Sequence, residues 1–198
     1  MDTKWILKYL TDLSEHNNRE WYHAHKAENK EANAQFEELI QTLILRIGEF
    51  DSSILHNQPK ELTFKLVRDT RFSHDKSPYN PAFRAHIASK GKLPVPVGYY
   101  LMIKPGGQSF LGGGLFADMF RDATEMIRDY ITEHGEEFEE IIHAPEFQKY
   151  FRVQGTSLKN VPAGYDKEHP QAEYLKFKSW YLEYPVADEV IADPFGRT

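Results

Sequence analysis

The sequence predicts an α+β fold: a mainly antiparallel sheet of four to five strands, flanked by N-terminal helices and a central-to-C-terminal helical group. Three patterns carry this prediction. Apolar residues recur at steps of three and four from Phe36 to Ile47, and again from Phe120 to Phe151. Between these two stretches they alternate at a step of two, with no helix-length segment separating one alternating run from the next.

Taken in chain order, Trp5, Leu7, Tyr9, Leu10 and Leu13 lie in a stretch free of Gly and Pro, which predicts a short helix ending near Asn17-Asn18. Phe36, Leu39, Ile40, Leu43, Ile44 and Ile47 predict a long amphipathic helix that begins between Arg19 and Lys30. Gly48 follows it where a left-handed cap is expected. Strands are predicted at Leu62 to Val67, around Phe83, Ala85 and Ile87, around Tyr99, Leu101 and Ile103, and from Gln108 to Leu111 after the turn at Pro105-Gly106-Gly107. The Leu93 to Val97 connection, with two prolines, reads as extended and stiff. Helical spacing then returns in three pieces separated by Gly135 and Pro145, and these should cover one face of the sheet. A Gly- and Pro-punctuated loop, Gln154 to Pro170, precedes a further candidate strand within Leu175 to Glu183. The tail from Pro185 to Thr198 has little to bury.

No repeat or linker divides the 198 residues, so one domain, 1–198, is expected. At 40% hydrophobic and 27% charged the chain has the composition of a packed globular protein. With no cysteine it has no disulfide, thiolate nucleophile, cysteine-type zinc site or iron–sulfur cluster. The apolar residues of the first segment are interrupted by Lys8 and Thr11, and no run is long enough to span a membrane. A cytoplasmic protein with no membrane partner is expected.

Charge is unevenly spread. The formal net charge of −6 disfavours nucleic acid as a partner while leaving it open. Yet residues 65–92 hold seven basic residues against two acids, a local +5 that leaves −11 for the remainder. Within this island the segment Arg68 to Pro81 is dense in anion-binding groups: Arg68 and Arg71 offer guanidinium forks, Lys76 a point charge, and Tyr79 a hydroxyl. The competing reading is structural, with Asp69 and Asp75 pairing with those same cations and the Ser and Asn side chains building turns.

Gly112-Gly113-Gly114, placed after a predicted strand and before a helix, could cradle an anion, although neither the dinucleotide nor the P-loop glycine spacing is present. Glycines at such a place also permit close backbone approach. Of the nine histidines, His23 with His25, His74 beside Asp75, and His143 after Glu140 are the candidates for metal binding. None has ligand spacing, so no metal is expected. No cofactor motif and no G-x-S-x-G elbow is present, and no cofactor or catalytic residue is assigned. The aromatics near the island, Phe72 and Tyr79 among them, read as core or cross-strand partners.

Asn17-Asn-Arg-Glu-Trp21, Arg68-Asp-Thr-Arg-Phe-Ser-His-Asp-Lys-Ser-Pro-Tyr79, Gly98-Tyr-Tyr-Leu101, Gly112-Gly-Gly114 and Pro162-Ala-Gly-Tyr165 with His169-Pro170 together span nearly the whole chain. In this combination the sequence resembles the conserved hypothetical proteins grouped as domain-of-unknown-function family 2461. The resemblance implies an α+β domain found chiefly in bacteria and brings no activity or cofactor. It departs at Asn80-Pro81, where relatives commonly place a Lys, and after Asp193, where many members continue into another helix.

The leading expectation is an anionic small molecule, phosphorylated or carboxylate, bound by Arg68, Asp69, Arg71, Lys76 and Tyr79 with the backbone of Gly112, Gly113 and Gly114. A protein or nucleic-acid interaction module with no small ligand is the alternative. A phosphoester-type enzyme drawing a base from Asp69, His74 or Asp75 is the third, and the oligomeric state is left open.

Overall fold

The computed structural model describes residues 1–116 and 120–196. Its chain is organised as two compact units, one of Met1–Leu93, Tyr99–Leu111 and Pro185–Thr198, the other of Pro94–Gly98 and Gly112–Tyr184. Strands β1 (Phe83–Ile87), β2 (Tyr99–Ile103), β3 (Ser109–Leu115) and β4 (Trp180–Val186) form an antiparallel sheet in the order β1-β2-β3-β4. With nine helices among the described residues, the fold is α+β as the periodicities predict.

In the first unit, helix α1 (Thr3–Glu15) starts where the Asp2 carboxylate accepts the Trp5 N–H at 3.0 Å. Its Ile6, Tyr9, Leu10 and Leu13 are buried on one stripe. Asn18 caps α2 (Arg19–Ala24) in the same way, accepting from Trp21 N at 2.9 Å. Helix α3 (Lys26–Ile47) buries Phe36, Leu39, Ile40 and Ile44, and the Phe36 ring lies 5.1 Å from that of Phe83 on β1. β1 and β2 pair with Phe83 opposite Ile103 and Ile87 opposite Tyr99, so Phe83, Ala85, Ile87, Leu101 and Ile103 join this core.

Four expectations are corrected, the first three in this unit and the last in the 94–98 segment of the other. Gly48 is right-handed at φ −59°, not left-handed. A Cβ there would stand 2.8 Å from Leu55 Cγ and 2.9 Å from Ile44 O, so the glycine leaves room for Leu55 against the helix end. Leu62 to Val67 is not a strand: Pro59 opens a helical turn, α4 (Pro59–Leu62), and beyond it only isolated bridges form, Thr63 with Ala85 and Val67 with Tyr79. Burial still alternates along this segment, with Leu66 buried between exposed Lys65 and Val67, but the extended chain forms no continuous ladder. The tail also buries more than expected, since Val186 and Ile191 are core residues and the Arg46 guanidinium lies 4.4 Å from the Phe195 ring centroid. Ile191 sits on α9 (Asp188–Ala192), whereas Arg197 and Thr198 of that tail lie outside the described residues. Finally, the chain bends at 94–96, where the Val95–Pro96 bond is cis, instead of running straight.

In the second unit the three helices appear where Gly135 and Pro145 divide the pattern: α5 (Arg121–Glu133), α6 (Gly135–His143) and α7 (Pro145–Tyr150). A fourth, α8 (Ala172–Leu175), leads into β4. Leu115, Ile131, Val161, Leu175 and Trp180 form this unit's core. Arg128 is buried beside it, with its Nε donating to Leu175 O at 2.9 Å, its Nη2 to Phe177 O at 2.6 Å, and its guanidinium 5.5 Å from the Trp180 ring centroid. Carbonyls and an aromatic face thus replace the water that a buried cation gives up.

Candidate functional site

The basic segment forms a hairpin-like excursion from the first unit. Arg68 N–H donates to Pro78 O at 2.9 Å, Asn80 N–H to Leu66 O at 2.7 Å, and the Val67–Tyr79 bridge closes the base. Asn17, in the turn between α1 and α2, clamps that base by donating to Tyr79 O at 2.9 Å and accepting Tyr79 N–H at 3.1 Å. The Tyr79 ring is buried and stacks on Tyr22 at 4.0 Å between centroids and 14° between planes.

Inside the loop each cation finds a local acceptor. Arg68 pairs with Asp75 and lies 3.3 Å from the Ser73 hydroxyl. Arg71 donates to Asp69 through Nε at 3.0 and 3.1 Å and through Nη2 at 2.6 Å, and Lys76 donates to Thr70 O at 3.0 Å. The Arg71 guanidinium beside Asp69 lowers that carboxyl's pKa and is itself raised. Hydrogen bonds from Ser77, then from Arg68, hold Asp75 far below the ordinary carboxylate range. Both acids are therefore ionised and poor proton acceptors at neutral pH, which works against their use as a base. Phe72 stands at the loop tip, 94% exposed, so its ring is not the core partner its type predicts.

The glycine triplet belongs to the second unit and lies inside β3, where a helix-preceding loop was expected. A Cβ on Gly113 would meet Gly98 O at 2.6 Å, and one on Gly114 would meet Tyr181 Cα at 2.7 Å. Gly114 also has φ +119°, so its place is set by backbone conformation and by the close approach of neighbouring chain.

A second group of cations adjoins the loop and was not singled out by sequence reasoning. Lys30 on α3, Lys60 on α4 and Lys65 on the extended segment line a cleft of about 520 Å³ together with Tyr22, Asn29 and Asn33. Glu37 is the one acid in its lining. Among the described residues these three ammonium groups make no hydrogen bond or ion pair, in contrast to Arg68, Arg71 and Lys76. The wall is held by a polar chain: Asn33 Nδ2 donates to Asn29 O at 2.8 Å, Asn29 Nδ2 to the Tyr9 hydroxyl at 2.8 Å, and the Tyr22 hydroxyl to Asn29 Oδ1 at 3.4 Å. Burial pushes Tyr9 up to about 12 and raises Tyr22, so both phenols stay neutral. The signal that could have found this cleft is the spacing of Asn29, Lys30 and Asn33 on the polar side of a helix whose apolar side is unmistakable.

The family model of conserved hypothetical proteins, DUF2461, matches residues 5–196. The chain belongs to the DUF2461 family. That match spans both units, from α1 past α9, and so includes the loop, the glycine triplet and the lysine-lined cleft. Neither the curated proteins nor the solved structures offer a match to this DUF2461 chain. Among its described residues no group of three His, Asp or Glu could hold a metal, and no helix is long and apolar enough to cross a membrane.

Proposed function

We propose that this DUF2461 protein binds an anionic small molecule, a phosphorylated or carboxylate metabolite, in the cleft of Lys30, Lys60 and Lys65. The observation that carries the proposal is that three lysines whose ammonium groups have no hydrogen bond or ion pair among the described residues line one cleft of a protein whose net charge is −6. Asn29, Asn33 and Tyr22 supply neutral polar groups that orient a ligand, and the Tyr22–Tyr79 stack links the cleft to the Arg68–Tyr79 turn. Binding at Arg68, Arg71 and Lys76 themselves would first have to displace Asp69 and Asp75 and the Thr70 carbonyl, which makes the lysine cleft the better-supported place. A bacterial source and a cytoplasmic location go with this reading, the first from the family resemblance and the second from the interrupted apolar pattern of the first segment.

The test is a thermal-shift screen of phosphorylated and carboxylate metabolites. A ligand that binds only the native state at about a hundred times its Kd adds roughly 2.7 kcal/mol of stability. The proposal expects at least one such ligand, with its effect lost in a Lys30→Ala, Lys65→Ala variant and kept in Arg71→Ala. No stabilising ligand, or one indifferent to both lysines, would remove it.

One observation favours a second reading, in which the loop docks a protein partner: Phe72 is almost fully exposed, with the Arg71 guanidinium 5.9 Å from its ring centroid. A docking loop would lose partner binding on Phe72→Ala and leave the metabolite screen unchanged.

A further inference from the structure

We infer that the groove on the second unit between α5, α6 and α7 and the β3–β4 pair docks a basic, amphipathic peptide segment of a partner protein. This site is independent of the lysine cleft. The groove has a volume of about 460 Å³ and is lined by Met126, Tyr130, Ile131, Phe138, Ile141 and Trp180 among others, with scarcely a polar group. Met126 is 71% exposed and Ile141 52%, which is unusual for large apolar side chains that share one concavity.

The charge around the groove decides what fits it. Residues 121–150 carry nine acids against three basic residues, a net −6 that equals the charge of the whole chain. One of the three cations, Arg128, is turned inward onto carbonyls. The acidity reaches the groove wall, where the Tyr130 hydroxyl donates to Glu137 at 3.1 Å. A separate hollow, of about 940 Å³, is lined by Glu133, Glu136, Glu137, Glu139 and Glu140 together with His134, His143 and His169, and Glu137 is the acid it shares with the groove wall. Fatty acids and anionic phospholipids would be repelled by this field, and neutral ligands would gain nothing from it. A helical peptide gains twice, by placing apolar anchors at steps of three and four in the groove and Lys or Arg over the glutamates. Met126 gives the wall a side chain that repacks around different anchors.

The test is selection from a displayed library of random peptides about 16 residues long, roughly four helical turns, against the full chain. Enriched sequences should carry large apolar residues at helical spacing and a net positive charge. Their affinity should fall roughly tenfold or more on Met126→Glu or Ile141→Glu, and weaken with added salt. Both side chains are largely exposed, so an unchanged Tm is expected and confirms that the variants fold. A Glu137→Lys variant, which changes the carboxylate that meets Tyr130 at the groove wall, should also weaken binding. The inference is overturned if no peptide enriches, if the enriched set lacks positive charge, if the variants bind as well as the parent, or if phosphatidylglycerol vesicles or a fluorescent fatty acid displace the peptides.

Discussion

Asn17 binds both backbone groups of Tyr79, 62 residues away, with its amide donating to the carbonyl at 2.9 Å and its oxygen accepting the N–H at 3.1 Å. A single side chain thereby fixes the base of the basic loop to the junction of α1 and α2. The stacked Tyr22 and Tyr79 rings sit on the same attachment, so the loop base, the aromatic pair and the wall of the lysine cleft form one connected piece.

Removing that clamp should therefore cost more than a surface mutation. Asn17→Ala leaves a half-buried N–H and C=O without partners, for a loss of about 2 kcal/mol. Urea unfolding reads the loss, and limited proteolysis should cut the 68–78 loop faster. A variant as stable as the parent, with an equally resistant loop, would contradict the assignment.

By contrast, the Arg71–Asp69 ion pair within the loop should contribute no measurable stability. Asp69 and Arg71 are both mostly exposed, and water and salt screen such pairs. Arg71→Ala should leave the urea midpoint where it is, and a clear drop would show that the loop depends on the pair.

Glycine substitutions separate two causes. Gly107→Ala meets only its φ of +70°, with no atom within 4 Å of the new Cβ, and should cost about 1 kcal/mol. Gly114→Ala meets both a φ of +119° and Tyr181 Cα at 2.7 Å, and should cost at least about 2 kcal/mol. Equal losses at the two sites, measured by urea unfolding, would show that close approach inside β3 is not the constraint.

Some of this architecture was legible in advance. Phe36 to Ile47 and Phe120 to Phe151 announce helices because a step of three and four over several turns has no other solution, and Gly135 and Pro145 mark the breaks. Leu62 to Val67 misled because alternation over six residues is also what a helical turn at Pro59 followed by isolated bridges leaves behind. The glycine triplet was placed outside a strand because its reason for being glycine, neighbouring chain at Gly98 and Tyr181, is invisible locally. The cleft lysines were missed for a similar reason: Lys30 is remote in sequence from Lys60 and Lys65, each is individually ordinary, and only the packing of α3 and α4 brings them to one cleft.

His86 gives the fold a pH dependence. It is buried on β1, and burial lowers its pKa, so the folded chain holds it neutral while the unfolded chain protonates it near the ordinary value of 6.5. The unfolded state therefore binds more protons at acid pH. Stability from this residue is fully present above that value and falls as pH drops through 6.5 toward the folded pKa. Urea midpoints at pH 5, 6 and 7 should decline less toward acid in His86→Gln than in the parent, and parallel declines would rule His86 out.

The most direct test of anion binding in the lysine cleft is amide chemical-shift mapping by NMR, as a phosphorylated metabolite found in the thermal screen is titrated in. The account predicts saturable shifts concentrated at Asn29 to Asn33, Lys60 and Lys65 to Val67, abolished by Lys30→Ala with Lys65→Ala. Shifts confined to Arg71 to Lys76 or to the second unit, or scattered shifts that never saturate, would contradict it.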